Sequence, residues 1–126
     1  MRLNHDCVRD VMLFIEEKHK PGMFIFLKDF LDDDKLSENY TAEDIQYTLL
    51  QLLDAEFIKG KPSYASNVLA TFSCGGLTWK GSQFIDTIRD NKVWSKTKNA
   101  TSKLSSVSIT ILSSIATKAL SKILGL

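Results

Sequence analysis

The residues of this chain able to do chemistry are few and poorly spaced for it. His5 and Cys7 stand two apart in "NHDCVRD". On a helix that spacing sends the two side chains to different faces, so they make neither a metal pair nor a nucleophile and its base. His19 and Cys74 are isolated, and neither an H-E-x-x-H nor a G-x-S-x-G pattern occurs. "DDDK" (Asp32 to Lys35) sets three carboxylates side by side. Adjacent residues do not converge on one ion without the glycine turn of a calcium loop. "CGG" (Cys74 to Gly76) has the outline of an anion nest, but without a G-x-x-x-x-G-K-[ST] frame it reads as a loop or bulge that breaks a strand. His5 reads as a surface or capping side chain and Cys7 as a small buried filler. The expectation is a protein that is not an enzyme and holds no cofactor or metal.

The elements that position these residues belong to a chain of 126 residues, enough for one domain and an appendage. Two cysteines make no disulfide framework, and "MRLNHDCVRD" is charged where a secretory leader needs an apolar run. A cytoplasmic protein with reduced thiols is expected, and no stretch of ~18 apolar residues spans a membrane. The net charge of +1 hides a split. Met1 to Ile58 hold six Lys/Arg against thirteen Asp/Glu, a balance of −7; Lys59 to Leu126 hold ten against two, a balance of +8. Such a chain pairs its own halves, shows two faces to different partners, or simply solvates both.

Asn4 suits a helix N-cap, with Leu3 and Val8 placed for a hydrophobic staple. Val8, Val11, Met12 and Ile15 follow a helical period, which Pro21-Gly22 ends. Phe24 to Phe26 suit a short strand, Leu27, Phe30 and Leu31 a brief helical turn, and Asp32 to Lys35 a polar loop. Thr41-x-x-Asp44 is a capping box, with Tyr40 and Ile45 as a second staple. The helix it opens turns Ile45, Leu49, Leu52 and Leu53 inward. Phe57 and Ile58 leave as a strand, and "KGKPSYASN" reads as a turn or wing with Gly60 and Pro62 as punctuation. Val68, Ala70 and Phe72 alternate as in a returning strand. Thr78 caps a further helix with Phe84, Ile85 and Ile88 inside.

Three blocks, "RLNHDCVRDVMLFIEE", "YTAEDIQYTLLQLLDAEFI" and "LTWKGSQFIDTIRDNKVW", resemble an uncharacterised family of small proteins common in bacterial phages and prophages. The likeness runs from about Arg2 to Lys98. It implies a winged-helix-like fold and a phage or prophage setting, and it brings no catalytic residues. The order of elements agrees: α+β, mostly helical, a winged helix-turn-helix over residues 1–92 with a C-terminal amphipathic helical tail over 93–126. One departure is Glu56, which stands where many winged helices have the glycine that ends the helix. Either the helix ends differently or Glu56 carries a strain of roughly 1 kcal/mol. Gly81 falls in the first turn of the last helix of the domain, where a weak helix former is tolerated.

A DNA-reading helix needs cations and amides on its exposed side. The helix opened by Thr41 projects Glu43, Tyr47, Leu50, Gln51 and Asp54 outward, and no Lys or Arg occurs from Ala42 to Ala55. That side is expected to bind a host or phage protein, with aromatic Tyr47 as anchor. The carboxylates between Asp32 and Glu56 would imitate phosphates toward a basic groove on a nucleic-acid machine. The alternative is a dimeric DNA-binding regulator using Lys59, Lys61, Tyr64 and Lys80, which also read as ordinary surface residues.

In the tail, Leu104, Val107, Ile111, Leu112, Ile115, Ala119 and Ile123 lie on one projected apolar stripe. Ser, Thr and Ile are mediocre helix formers, so this helix needs support. Three supports are open: its own domain, a second copy in a homodimer through Leu104, Ile111, Ile115, Ala119 and Ile123, or a membrane surface.

Overall fold

The computed structural model describes residues 1–126. In chain order the elements are α1 (His5–Lys18), β1 (Ile25–Phe26), α2 (Leu27–Asp32), α3 (Asp34–Asn39), α4 (Ala42–Asp54), β2 (Ile58–Ala65), β3 (Val68–Leu77), α5 (Trp79–Ile88), α6 (Asn91–Thr101) and α7 (Ile109–Ile123). The chain is mixed α+β and mostly helical, with one antiparallel sheet of strand order β1-β3-β2.

Helix α1 starts as its capping residue dictates. The Cys7 N–H donates to Asn4 Oδ1 at 3.1 Å, and Cys7, Val8, Val11, Met12 and Ile15 are buried. Helix α4 carries the reciprocal capping box: the Asp44 N–H donates to Thr41 Oγ1 at 3.1 Å and the Thr41 N–H to Asp44 Oδ2 at 3.3 Å. Its buried face of Ile45, Leu49 and Leu52 lies against α1. Phe30, Phe57 and Phe72 fill the centre of the core. The stretch expected as polar loop contains α3, because Asp33 accepts from the Leu36 N–H at 3.1 Å and so starts a helix, with buried Leu36 facing inward.

Helix α4 ends through backbone geometry at Glu56. The Phe57 N–H donates to the Leu52 carbonyl and the Glu56 N–H to the Leu53 carbonyl, the two bonds of a Schellman motif. Glu56 stands at the left-handed position of that motif with φ 63°, so the helix ends as with glycine and the strain falls on Glu56. Three further donors meet the same end. Thr78 N–H donates to Phe57 O at 3.1 Å, Thr78 Oγ1 to Glu56 O at 2.6 Å, and Lys80 Nζ to Ala55 O at 3.3 Å. Gly81 is there for space rather than as a tolerated weak former: a Cβ would stand 1.9 Å from the Phe57 carbonyl oxygen.

Between these anchored ends β2 and β3 form a hairpin, and its turn lies later than the sequence suggests. Ser66 and Asn67 have φ 52° and 66°, the two left-handed residues of a two-residue connection. Gly60 and Pro62, expected to punctuate a loop, sit inside β2. Pro62 is tolerated because β2 is an edge strand. "CGG" does not break β3 either. Lys59 pairs with Gly76 and Gly60 with Cys74, so Gly75 is an extra bulged residue and pairing continues to Leu77. A second shift between Ser63 and Tyr64 makes Ala70 the other extra residue. The shift changes the phase of alternation, so Leu69 and Phe72 are buried while Val68 and Ala70 are exposed.

The tail is two helices and not the single long one expected. Helix α6 starts on Asp90, whose Oδ1 accepts from the Lys92 and Val93 N–H groups. It stops at Thr101, and Ser108 caps α7 by accepting from the Ile111 N–H at 3.3 Å. Hydroxyls that weaken a continuous helix favour a cap and a turn instead. The two helices pack on each other, and α7 also packs on α5. Ile109, Leu112 and Ala116 join the same core as α1 and α4. His5 Nε2 donates to the Val107 carbonyl at 3.0 Å, and Asp6 accepts from Trp94 Nε1 at 3.3 Å and Lys98 Nζ at 2.6 Å. Arg9 donates from Nε to Ile88 O at 2.9 Å and from Nη2 to Arg89 O at 2.8 Å, closing the end of α5 onto α1. No helix is long and apolar enough to cross a membrane.

Candidate functional site

The outward side of α4 is set by the capping box at one end and the Schellman turn at the other. Glu43 and Asp54 are exposed, whereas Tyr47, Leu50 and Gln51 are half-buried. Leu50 spends part of its surface against the core, so the projected apolar patch is narrower than the helical period suggests. Of the carboxylates between Asp32 and Glu56, Asp33 and Asp44 are bonded to helix N-termini, and Asp32, Asp34, Glu38 and Glu56 are exposed. No cation stands on α4, and Lys80 meets only its last carbonyls.

Trp79 is a residue that reasoning from the sequence missed. It is 80% exposed at the first position of α5. Its neighbours Thr78 and Lys80 both bond the carbonyls that end α4, while the indole lies on the side of α5 away from Gly81, the residue that meets Phe57. The signal was available. The buried face of α5 is Gly81, Phe84, Ile85 and Ile88, and Trp79 falls roughly 200° from Gly81 around the axis.

The four residues of the DNA reading are not brought together. Lys80 lies at the base of the hairpin, its Nζ 5.1 Å from the centre of the Phe57 ring as well as on Ala55 O. Tyr64 is exposed one residue from the last position of β2. Lys59 and Lys61 are exposed along the strand. Lys61 and Phe26 both pair with Ser73, which puts them on one face of the sheet. Phe26 is exposed there, and so is Phe24 beyond it.

The five tail residues grouped for dimerisation also separate. Ala119 is buried and Ile115 packs against the core, while Leu104, Ile111 and Ile123 are exposed. The turn from Ser102 to Ser108 resets the helical phase, so Leu104 does not continue the stripe of α7.

The groups able to react are quiet. Cys7 is buried, and burial pushes its thiol up from 9.0 to about 11. Cys74 is raised for the same reason. The Tyr40 phenol donates to Asp10 Oδ2 at 2.6 Å, and burial together with that carboxylate raises its pKa. No three His, Cys, Asp or Glu residues are placed to share a metal ion.

No curated protein and no solved structure matches the chain. The chain belongs to the hypothetical-protein family DUF2513, a family of unknown function, whose model matches residues 2–108. Helix α7 begins at the next residue.

Proposed function

We propose that this DUF2513 chain is a non-enzymatic interaction module that binds another protein through the outer side of α4 and the exposed Trp79. The carrying observation is that α4 has exposed carboxylates and no cation, and that α5, which is bonded to its end through Thr78 and Lys80, begins with an 80% exposed indole. Tryptophan is the residue type most enriched among binding anchors, and a phosphate-lined groove would repel Glu43 and Asp54. The partner's surface is therefore basic, as on a nucleic-acid enzyme that normally holds phosphates. The phage or prophage setting rests on the three sequence blocks that carry the family resemblance. A winged helix-turn-helix is the arrangement we assign to α1 through α5. It is supported by the hairpin that leaves α4 and returns at α5, with β1 paired alongside it. Trp79→Ala together with Glu43→Gln and Asp54→Asn is expected to abolish capture of a host protein that the unaltered chain retains. Retention of the same protein by the triple variant would sink the reading.

A second reading, DNA binding, is favoured by Lys59 and Lys61 standing exposed on the open sheet near Phe24 and Phe26. A salt-titrated gel shift separates the two. Tight, sequence-selective binding at physiological salt supports this second reading against the first.

A further inference from the structure

We propose that the groove between α6 and α7 is a docking face for an anionic lipid surface. This face is distinct from α4, and the proposal is independent of the protein partner assigned there. Folding of the tail into a hairpin brings together lysines that are far apart in sequence. Lys96 on α6 and Lys103 in the turn just after it line one wall, and Lys118 and Lys122 line the other from α7, with Ala100 and Ile115 between them. None of the four lysines makes an ion pair. No Asp or Glu occurs from Asn91 to Leu126, so nothing in the hairpin neutralises them.

Charge selects an anionic occupant, and the apolar residues around the lysines select a lipid over a nucleic acid. Ile111 is 50% exposed one turn before Ile115 on the groove side of α7. Leu104 is 53% exposed in the turn, and Leu124 and Leu126 are exposed beyond the far end. A phosphate backbone offers such side chains nothing. A bilayer interface satisfies both classes, with ammonium groups among headgroup phosphates and short apolar side chains at the acyl boundary. The groove also lacks the Arg and aromatic side chains that nucleic-acid surfaces use for bidentate bonds and stacking. The mode is peripheral, since no helix is long enough to span.

The test is flotation of the full chain with vesicles of pure phosphatidylcholine, and with vesicles in which part of it is replaced by phosphatidylglycerol. Binding is expected only to the second kind. It should fall roughly a thousandfold when Lys96, Lys103, Lys118 and Lys122 are all changed to Gln. All four are exposed, so the fold should survive, and a thermal melt checks that it does. Ile111→Ser separates lipid from other polyanions, because it should weaken vesicle binding severalfold and leave any retention of a single-stranded oligonucleotide unchanged. Two outcomes overturn the proposal: no flotation with the anionic vesicles, or oligonucleotide binding tighter than vesicle binding with Ile111→Ser without effect on either.

Discussion

Helix α4 and the α6–α7 hairpin are both amphipathic, both buried on one side, and opposite in charge on the other. The difference lies in how each is held. Helix α4 is fixed at both termini by bonds read from adjacent residues, the Thr41–Asp44 box and the Glu56 turn, with the Thr78 hydroxyl added from 22 residues along the chain. The hairpin has local caps at Asp90 and Ser108 but leans on long-range partners as well, with His5 on Val107, Asp6 on Lys98, and Leu112 inside the common core. A helix of good formers with strong caps needs little from its neighbours, whereas one rich in Ser, Thr and Ile depends on what it packs against.

The largest effect should come from breaking that dependence. Leu112→Ala is expected to cost about 2–5 kcal/mol in urea unfolding, since Leu112 is fully buried in the main core. A cost far below that range would make the hairpin an appendage. Next in size is alkaline pH. Cys7 titrates higher in the fold than in the unfolded chain, so its contribution is complete below about 9 and is lost as pH rises toward about 11. Tyr40, also raised, extends the loss in the same direction. Unfolding measured on both sides of that window should show a fall of roughly 2 kcal/mol, and Cys7→Ala should reduce it. A smaller change concerns the end of α4. Glu56→Gly should stabilise by about 1 kcal/mol, because glycine takes a positive φ without strain. Equal or lower stability would mean that the carboxylate is favourable where it stands. The smallest effect sharpens the contrast in charge. Removing Glu43 and Asp54, or Lys118 and Lys122, should move stability by no more than about 0.5 kcal/mol while changing what each face binds.

What could be read from the sequence follows the same division. The Asn4, Thr41 and Thr78 caps and the inward faces of α1, α4 and α5 were all legible, because each is encoded within a few residues. The short α3 was missed because Asp33 looks like one more loop carboxylate until Leu36 is seen to be buried. The phase of β3 could not be read, since the bulges at Ala70 and Gly75 are properties of pairing with β2. The tail's single projected stripe hid the turn at 102–108. Its local signal, Ser108 as a cap, is one hydroxyl in a run of Ser and Thr, and the projection passed over it. At the candidate site, the acidity of α4 was plain from composition, whereas the joining of α5 to its end depends on contacts made 22 and 25 residues along the chain.

The tie at the root of the β2–β3 arm has an engineering consequence. Carbonyls of Ala55, Glu56 and Phe57 are locked to Thr78 and Lys80, so the chain departs and comes back through one fixed gate. Leu69 and Phe72 hold the arm to the core, and the turn at Ser66 and Asn67 stands exposed beyond them. A peptide tag or reporter spliced between those two residues should leave the rest of the molecule unaware of its cargo.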